Sequence, residues 1–330
     1  MRVVMMGTGL FAEPTFEALL AGPHEVAGLV TQPDRAAGQE RGSTRQTGKG
    51  MKNIALAHQV PVSQPESVNT PEGVAALREI RPDLLVVAAY GQILSKDVLG
   101  VPRLGGINVH ASLLPKYRGA APIAWAIYHG ETRTGVTIIR MTTGLDAGDM
   151  LAQEAVEIGP KETAGEVEAR LAPLGARLAL EVVGRLEAGP VEGRKQDPSQ
   201  VTKAPKLKKE NGLIDWSRHA REVRNQIRAM QPWPTAYTFL HRPGQPPLRL
   251  LVLRASWYKN DLPHLLPGAV VLRPGHEHEF HVATGSENDR IGSEVEIHEL
   301  QPAGKRPMTA TEFLRGHRLQ ESERLGPEKP

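Results

Sequence analysis

No cysteine occurs anywhere in the 330 residues. Disulfides, thiolate nucleophiles and thiolate metal ligands are therefore excluded, and any chemistry must come from other side chains. Long apolar runs are missing as well. The opening stretch MRVVMMGTGLF lacks the apolar core and cleavage pattern of a secretory signal, and no segment reaches membrane-spanning length. These absences lead us to expect a cytoplasmic protein. An excess of one charge sign is nearly absent too, with a net charge of +3, but the balance is uneven. Residues 1–190 hold 18 Lys and Arg against 20 Asp and Glu, whereas residues 191–330 hold 22 against 17. The second half thus carries all the positive excess, which suits a polyanionic partner as well as simple solubility.

What is present is an alternation of strand and helix. RVVMMG, EVAGLVT, DLLVVAAYG and GGINVHA are short β-branched or apolar runs of the kind found in buried parallel strands. Between them lie helical patterns, FAEPTFEALLAG and TPEGVAALREI, the second with Thr70 as N-cap and Pro71 in its first turn. The expected fold class is α/β, a doubly wound, mostly parallel Rossmann-like sheet over residues 1–189. GVTIIRMTTG adds a strand, and a capping box of Thr163 and Glu166 opens a long helix that Pro173 should kink or split. Residues 190–208, with prolines and clustered lysines but no apolar period, read as an exposed linker. Short alternating strands over 209–316 suit a small OB-like β-barrel, and residues 317–330 read as a frayed polar tail.

Four motifs bear on chemistry. GTGLFA matches G-x-G-x-x-A after a first strand, but no acidic residue closes the second strand where a dinucleotide ribose would need it. Asp34 comes after a proline and late, so we read a strand-to-helix turn without a nucleotide. In INVHASLLPKYRGAAP, Asn108 and His110 stand two apart on a strand and so share a face. They would bring a neutral amide donor and an ionisable imidazole into one cleft. TTGLDAGDML supplies Asp146 and Asp149 in a glycine-rich loop. Such an aspartate often serves only its own turn. With Asn108 and His110 at a matching strand end, a carboxylate that fixes the imidazole tautomer is the better reading. HEHEFH, residues 276–281, mixes histidine and glutamate in a way that suggests metal, but His281 points away from His276 and His278. We read it as a charged hairpin edge and expect no metal.

INVHASLLPKYRGAAPI followed by GVTIIRMTTGLDAGDML resembles the formyltransferase family that uses 10-formyltetrahydrofolate. GTGLFA, VTQPDR and VVAAYGQIL extend the likeness early in the chain, and IDWS, IRAMQPWPTA and LQPAGKRPM extend it through the second half. The resemblance implies a catalytic trio of Asn108, His110 and Asp146, with folate contacts at Ser112, Leu113, Leu114 and Pro115. It also implies a pterin pocket near Tyr90 and Gly91, 10-formyltetrahydrofolate as donor, no metal, and a monomer. Smaller relatives that formylate glycinamide ribonucleotide end near the close of the α/β region. The second half therefore points to the branch that formylates initiator methionyl-tRNA for translation initiation. A formyltransferase or hydrolase acting on a small molecule, or an idle RNA-binding module, are the alternatives. Gly9, Ala111 and Ala124 depart from the usual family residues, and the loop after QPDRAAG is about three residues longer, without its Pro-Ser-Pro turn.

Basic residues follow the same reading. The loop at 35–52 carries Arg41, Arg45 and Lys49, the linker carries Lys206 and Lys208 with Lys209 just beyond it, and the helix SRHAREVRNQIRAM carries Arg218, Arg221 and Arg228 on one side. With Ser217 as N-cap and Ala220, Val223 and Ile227 as the apolar stripe, the arginines would form a ridge tracking tRNA phosphates.

Overall fold

The structure, a computed structural model, describes residues 1–34, 48–260, 265–285 and 292–329. Arg41 and Arg45 lie outside the described residues. The chain divides into two compact units. The first comprises Met1–Ala126, Thr132–Gly159 and Gly165–Lys206, and the second Ile127–Glu131, Pro160–Ala164 and Leu207–Pro330.

In chain order the first unit is built from β1 (Arg2–Gly7), α1 (Glu13–Ala21), β2 (Glu25–Val30), α2 (Met51–Ala57), β3 (Val62–Ser63), α3 (Pro71–Ile80) and β4 (Leu84–Ala88). It continues through α4 (Lys96–Leu99), β5 (Gly106–His110), α5 (Pro122–Tyr128), β6 (Arg133–Arg140), β7 (Met150–Glu157) and α6 (Ala164–Ala188). The sheet order is β3-β2-β1-β4-β5-β6-β7. The first five strands run parallel, and β6 and β7 turn the far edge antiparallel. Strands β1 and β4 are buried along nearly their whole length, as expected for strands covered on both faces. Order reverses at β1, so the switch point lies between β1 and β4, next to β5, where the carboxyl ends of parallel strands commonly hold ligands. Thr70 caps α3 as its sequence predicts, its side chain accepting from the Gly73 amide at 3.1 Å. Pro173 does not split α6, which runs unbroken from Ala164 to Ala188.

The second unit carries α7 (Ala220–Ala229), β8 (Tyr237–His241), β9 (Leu248–Asn260), β10 (Val270–Val271), β11 (Phe280–Thr284), β12 (Gly292–Pro302), β13 (Met308–Thr309), α8 (Ala310–Gly316) and β14 (Arg324–Gly326). Its antiparallel sheet has the order β10-β11-β12-β9-β8-β14, with β13 beside β12. A bridge between Ala269 and Arg324 joins the two ends of that order.

Three sequence expectations fail here, one of them only in part. Residues 317–329 are not a frayed tail, because β14 pairs with β8 and its Leu325 is buried. HEHEFH is an exposed edge only in part: His276–Glu279 form the turn between β10 and β11, whereas Phe280 and His281 lie on β11, which is flanked by β10 and β12, and are buried. Ser217 does not cap α7. It hydrogen-bonds Asp215, and His219 accepts from the Arg221 amide instead.

Candidate active site

Strand parity places Asn108 and His110 on one face of β5, while Ile107 and Val109 are buried on the other. β6 runs antiparallel to β5, with Ile107 opposite Arg140 and His110 opposite Thr137. The loop that follows β6 therefore leaves beside the start of β5 and has to turn back to reach His110. Two features let it do so. Asp146 adopts a left-handed conformation with φ of 47°, which aspartate tolerates better than most residues. Gly148 lies so close to the Arg140 carbonyl that a Cβ would fall 1.7 Å from its oxygen.

The turn brings Asp146 between the other two groups. The Asn108 amide donates to its Oδ1 at 3.4 Å, and His110 Nδ1 lies 3.6 Å from its Oδ2. Both contacts are long, as unliganded catalytic contacts often are. Backbone holds the carboxylate more firmly, since the Gly119 amide donates to Oδ2 at 2.9 Å. Gly119 has φ of 130°, and a Cβ there would meet the Ala204 carbonyl at 2.3 Å. On the far side of the ring, His110 Nε2 lies 2.9 Å from the Tyr117 carbonyl. A carbonyl only accepts, so Nε2 carries its proton there and Nδ1 is the nitrogen left facing Asp146.

The segment Ala111–Gly119 is braced from beneath. Thr137 on β6 donates to the Ser112 carbonyl at 2.6 Å and accepts from the Leu114 amide at 3.2 Å. Gln153 on β7 donates to the Leu114 carbonyl at 2.9 Å. The side chains of Ser112 and Leu114 are consequently buried, Ser112 bonding the Lys116 carbonyl and Leu114 packing on Ile139 and Met150. Of the four residues expected to contact folate, only Leu113 and Pro115 keep partly exposed side chains. Tyr90, expected near a pterin pocket, is buried in the core below β4, and burial pushes its hydroxyl up to about 12.

The segment read as a linker is packed on this site. Thr202 accepts from the Tyr117 amide at 2.8 Å through its hydroxyl and from the Arg118 amide at 2.9 Å through its carbonyl. The Ala204 amide returns a bond to the Arg118 carbonyl at 2.7 Å. Sequence reading missed this strap, because polar composition with proline is also what a free linker has. Gly119, Thr137 and Gln153 were missed too, since their partners lie far away in sequence.

The basic residues separate into two groups. Arg221, Lys206, Lys208 and Lys209 are exposed, and Lys49 is exposed but paired with Glu17 at 2.6 Å. Arg228 is a correction. It is buried, donating to Asn225 Oδ1 at 3.1 Å and the Glu162 carbonyl at 3.2 Å, and burial followed by the nearby Arg224 charge lowers its pKa to about 10. Arg218 lies over the Tyr128 ring and pairs with Glu222 at 2.7 Å. The helical wheel gives the side of α7 but not what covers it, so the expected ridge is largely occupied by the protein itself.

Residues 1–183 match the family model described as Formyl transferase, and residues 206–318 the one described as Formyl transferase, C-terminal domain. The chain is similar to the methionyl-tRNA formyltransferase of Solibacter usitatus, with 46% identity covering 99% of each chain. It is similar to that of Geobacter sulfurreducens at 44% identity, covering 99% of this chain and 97% of the relative. Among solved structures, it shares its fold with a sugar 3-N-formyltransferase crystallised with dTDP and 5-N-formyltetrahydrofolate (TM-score 0.64, 15% identity, 93% of this chain and 99% of that one).

Proposed function

The chain belongs to the formyl transferase family, and from that premise we propose that it moves the formyl group of 10-formyltetrahydrofolate to the α-amine of methionine on initiator tRNA. The observation that supports this reading most directly is the convergence of an amide, an imidazole and a carboxylate around Asp146, within 3.4 and 3.6 Å. In the reaction the uncharged amine attacks the formyl carbon and forms the new C–N bond. Negative charge gathers on the formyl oxygen, the bond to folate N10 breaks, and N10 takes up a proton in place of the formyl group.

Asn108 serves that oxygen as a neutral donor whose dipole is already oriented. His110, protonated on both ring nitrogens, serves it only through Nδ1–H, since Nε2–H is engaged with Tyr117, so it acts from the side that faces Asp146. Asp146 keeps the ring oriented and accepts the proton that leaves the attacking amine, directly or through water. Leu113, Pro115 and the backbone of Ser112 and Leu114 form the folate-facing wall. Around this centre we read residues 1–189 as the catalytic domain and 209–316, extended by β14 (Arg324–Gly326), as an OB-like barrel that binds tRNA. The bridge between Ala269 and Arg324 supports barrel closure. Arg221, Lys206, Lys208 and Lys209 are the phosphate contacts we favour, because they are exposed. No helix among the described residues is long and apolar enough to cross a membrane, and we place the reaction in the cytoplasm with the protein as a monomer.

The test incubates purified protein with 10-formyltetrahydrofolate and methionyl initiator tRNA, with free methionine and with no acceptor as controls. Formylated methionyl-tRNA formed only in the first reaction is the expected result. Formylation of free methionine, or release of formate at the same rate without tRNA, would replace this reading with a small-molecule transferase or a hydrolase.

A further inference from the structure

One side chain in the strap holds both loops of the active site. Gln196 donates from Nε2 to the Asp146 carbonyl at 2.7 Å and to the Gly148 carbonyl at 2.8 Å. Its Oε1 accepts from Arg118 Nη2 at 2.8 Å and Nε at 3.1 Å. A carboxamide is suited to this place, because one end must donate twice and the other must accept from a cation. Arg118 lies between Tyr117, whose carbonyl takes His110 Nε2, and Gly119, whose amide holds Asp146 Oδ2. Every group that orients His110 and Asp146 from outside β5 is thus within two residues of a Gln196 partner.

The strap around it is fixed at both ends. Arg194 exchanges both backbone hydrogen bonds with Met150, each at 2.9 Å. Asp197 caps the next turn by accepting from the Ser199 amide at 2.9 Å, and the chain then returns to place Thr202 and Ala204 on Tyr117 and Arg118. The Trp125 indole donates to the Pro205 carbonyl at 2.7 Å. Gln196 therefore sits on a rigid frame rather than a free linker, and its own reach sets where the 146–148 turn rests.

We infer that Gln196 is a positioning residue for formyl transfer, setting the distance from Asp146 to Asn108 and His110 by tying the carboxylate's own backbone to the loop that carries Tyr117 and Gly119. This inference rests on Asp146 acting in the reaction. Placement errors of about 1 Å at a reacting group cost up to about 10²-fold in rate. Without both hydrogen bonds the turn shifts, while folate and tRNA contacts elsewhere are untouched.

The experiment measures kcat and KM for both substrates, with thermal melting, in Gln196→Met and Asp146→Asn singly and together. Gln196→Met keeps the volume and loses every hydrogen bond. The expected result is a kcat loss of about 10- to 100-fold with both KM values within about twofold, and little further loss when the change is made on the Asp146→Asn background. Gln196→Glu keeps the acceptor for Arg118 and loses the donors. It should stay folded and lose kcat to a similar degree, which covers the case in which Gln196→Met melts early. Wild-type kcat in both Gln196 variants, or the same fold-loss with and without the Asp146 carboxylate, would overturn the inference. If Asp146→Asn alone turns over like wild type, the role of Asp146 falls first and the inference with it.

Discussion

Each unit buries a histidine beside a carboxylate, His110 in the first, where His24 lies beside Glu187 as well, and His281 in the second; His110 and His281 are held in opposite ways. His110 faces a single carboxylate at 3.6 Å and gives its other nitrogen to a carbonyl. His281 is clamped, with Glu279 Oε2 2.8 Å from Nε2 and Glu294 Oε1 3.2 Å from Nδ1. Burial alone would lower the His281 pKa, but the bonds to Glu294 and Glu279 outweigh it and raise the pKa above the ordinary histidine value. Glu279, bonded by His276 and His281, is held down to about 2. Glu279, His281 and Glu296 do bring ligand-type atoms within 4.8 Å of one another. Glu279 is already bonded by His276 and His281, and Glu296 accepts from the Tyr258 hydroxyl at 2.8 Å. A histidine beside a carboxylate is thus not enough to mark chemistry. What distinguishes His110 is slack, a neutral amide alongside, and a carboxylate fixed by backbone.

The largest expected effect breaks the comparison if it is wrong. Asn108→Ala and His110→Ala should each lower kcat by about 10²–10³ while the fold and folate affinity persist. If His110→Ala instead lowers the melting temperature and leaves kcat intact, the two histidines are alike after all, and steady-state kinetics beside a melting curve decides it. Next in size, His281→Gln should cost on the order of 2 kcal/mol of stability, because charged hydrogen bonds are lost in a buried place, with kcat unchanged. The cost depends on pH. A raised His281 pKa gives stability that is complete below about 6.5 and disappears as pH rises through the folded value. A lowered Glu279 pKa gives stability present above about 4.5 and lost as pH falls towards 2. Melting-temperature differences between wild type and His281→Gln should therefore be widest between about pH 4.5 and 6.5. A flat difference across that range would remove the clamp from the comparison.

The smallest effect carries the same distinction to arginines. Arg221→Ala should weaken tRNA binding a few-fold and reduce the salt slope by about 1. Arg228→Ala should destabilise the protein and leave the slope alone, since its guanidinium is already bonded to Asn225 and Glu162. Binding titrations across a salt series check both, and equal slopes for the two variants would blur the division.

Much of the candidate site and of the first sheet can be read locally. Two-residue parity puts Asn108 and His110 on one face, and the Thr70 cap and the buried runs of β1 and β4 follow from their own neighbours. What escapes the sequence is distant. Gln196 stands about 50 positions from Asp146, in a segment whose composition describes its solubility and not its hydrogen bonds. Arg228 has the right spacing for a surface ridge, and only the fold shows the chain near Glu162 lying over it. β14 has three residues, too few to show any period.

That short strand has a consequence for how the protein is made. β8 has β9 on one edge, but its other edge, bridged at Tyr237 by Leu213, obtains its strand partner from residues 324–326, roughly 80 positions further along the message. At about 5–20 residues per second, its open edge waits on the order of 4–16 s on the ribosome for the segment that covers it. During that interval the nascent second unit offers a bare strand to any neighbour. A stop codon just ahead of Arg324 would make the exposure permanent, so the protein released should be a chaperone client even though Asn108, His110 and Asp146 have already been synthesised.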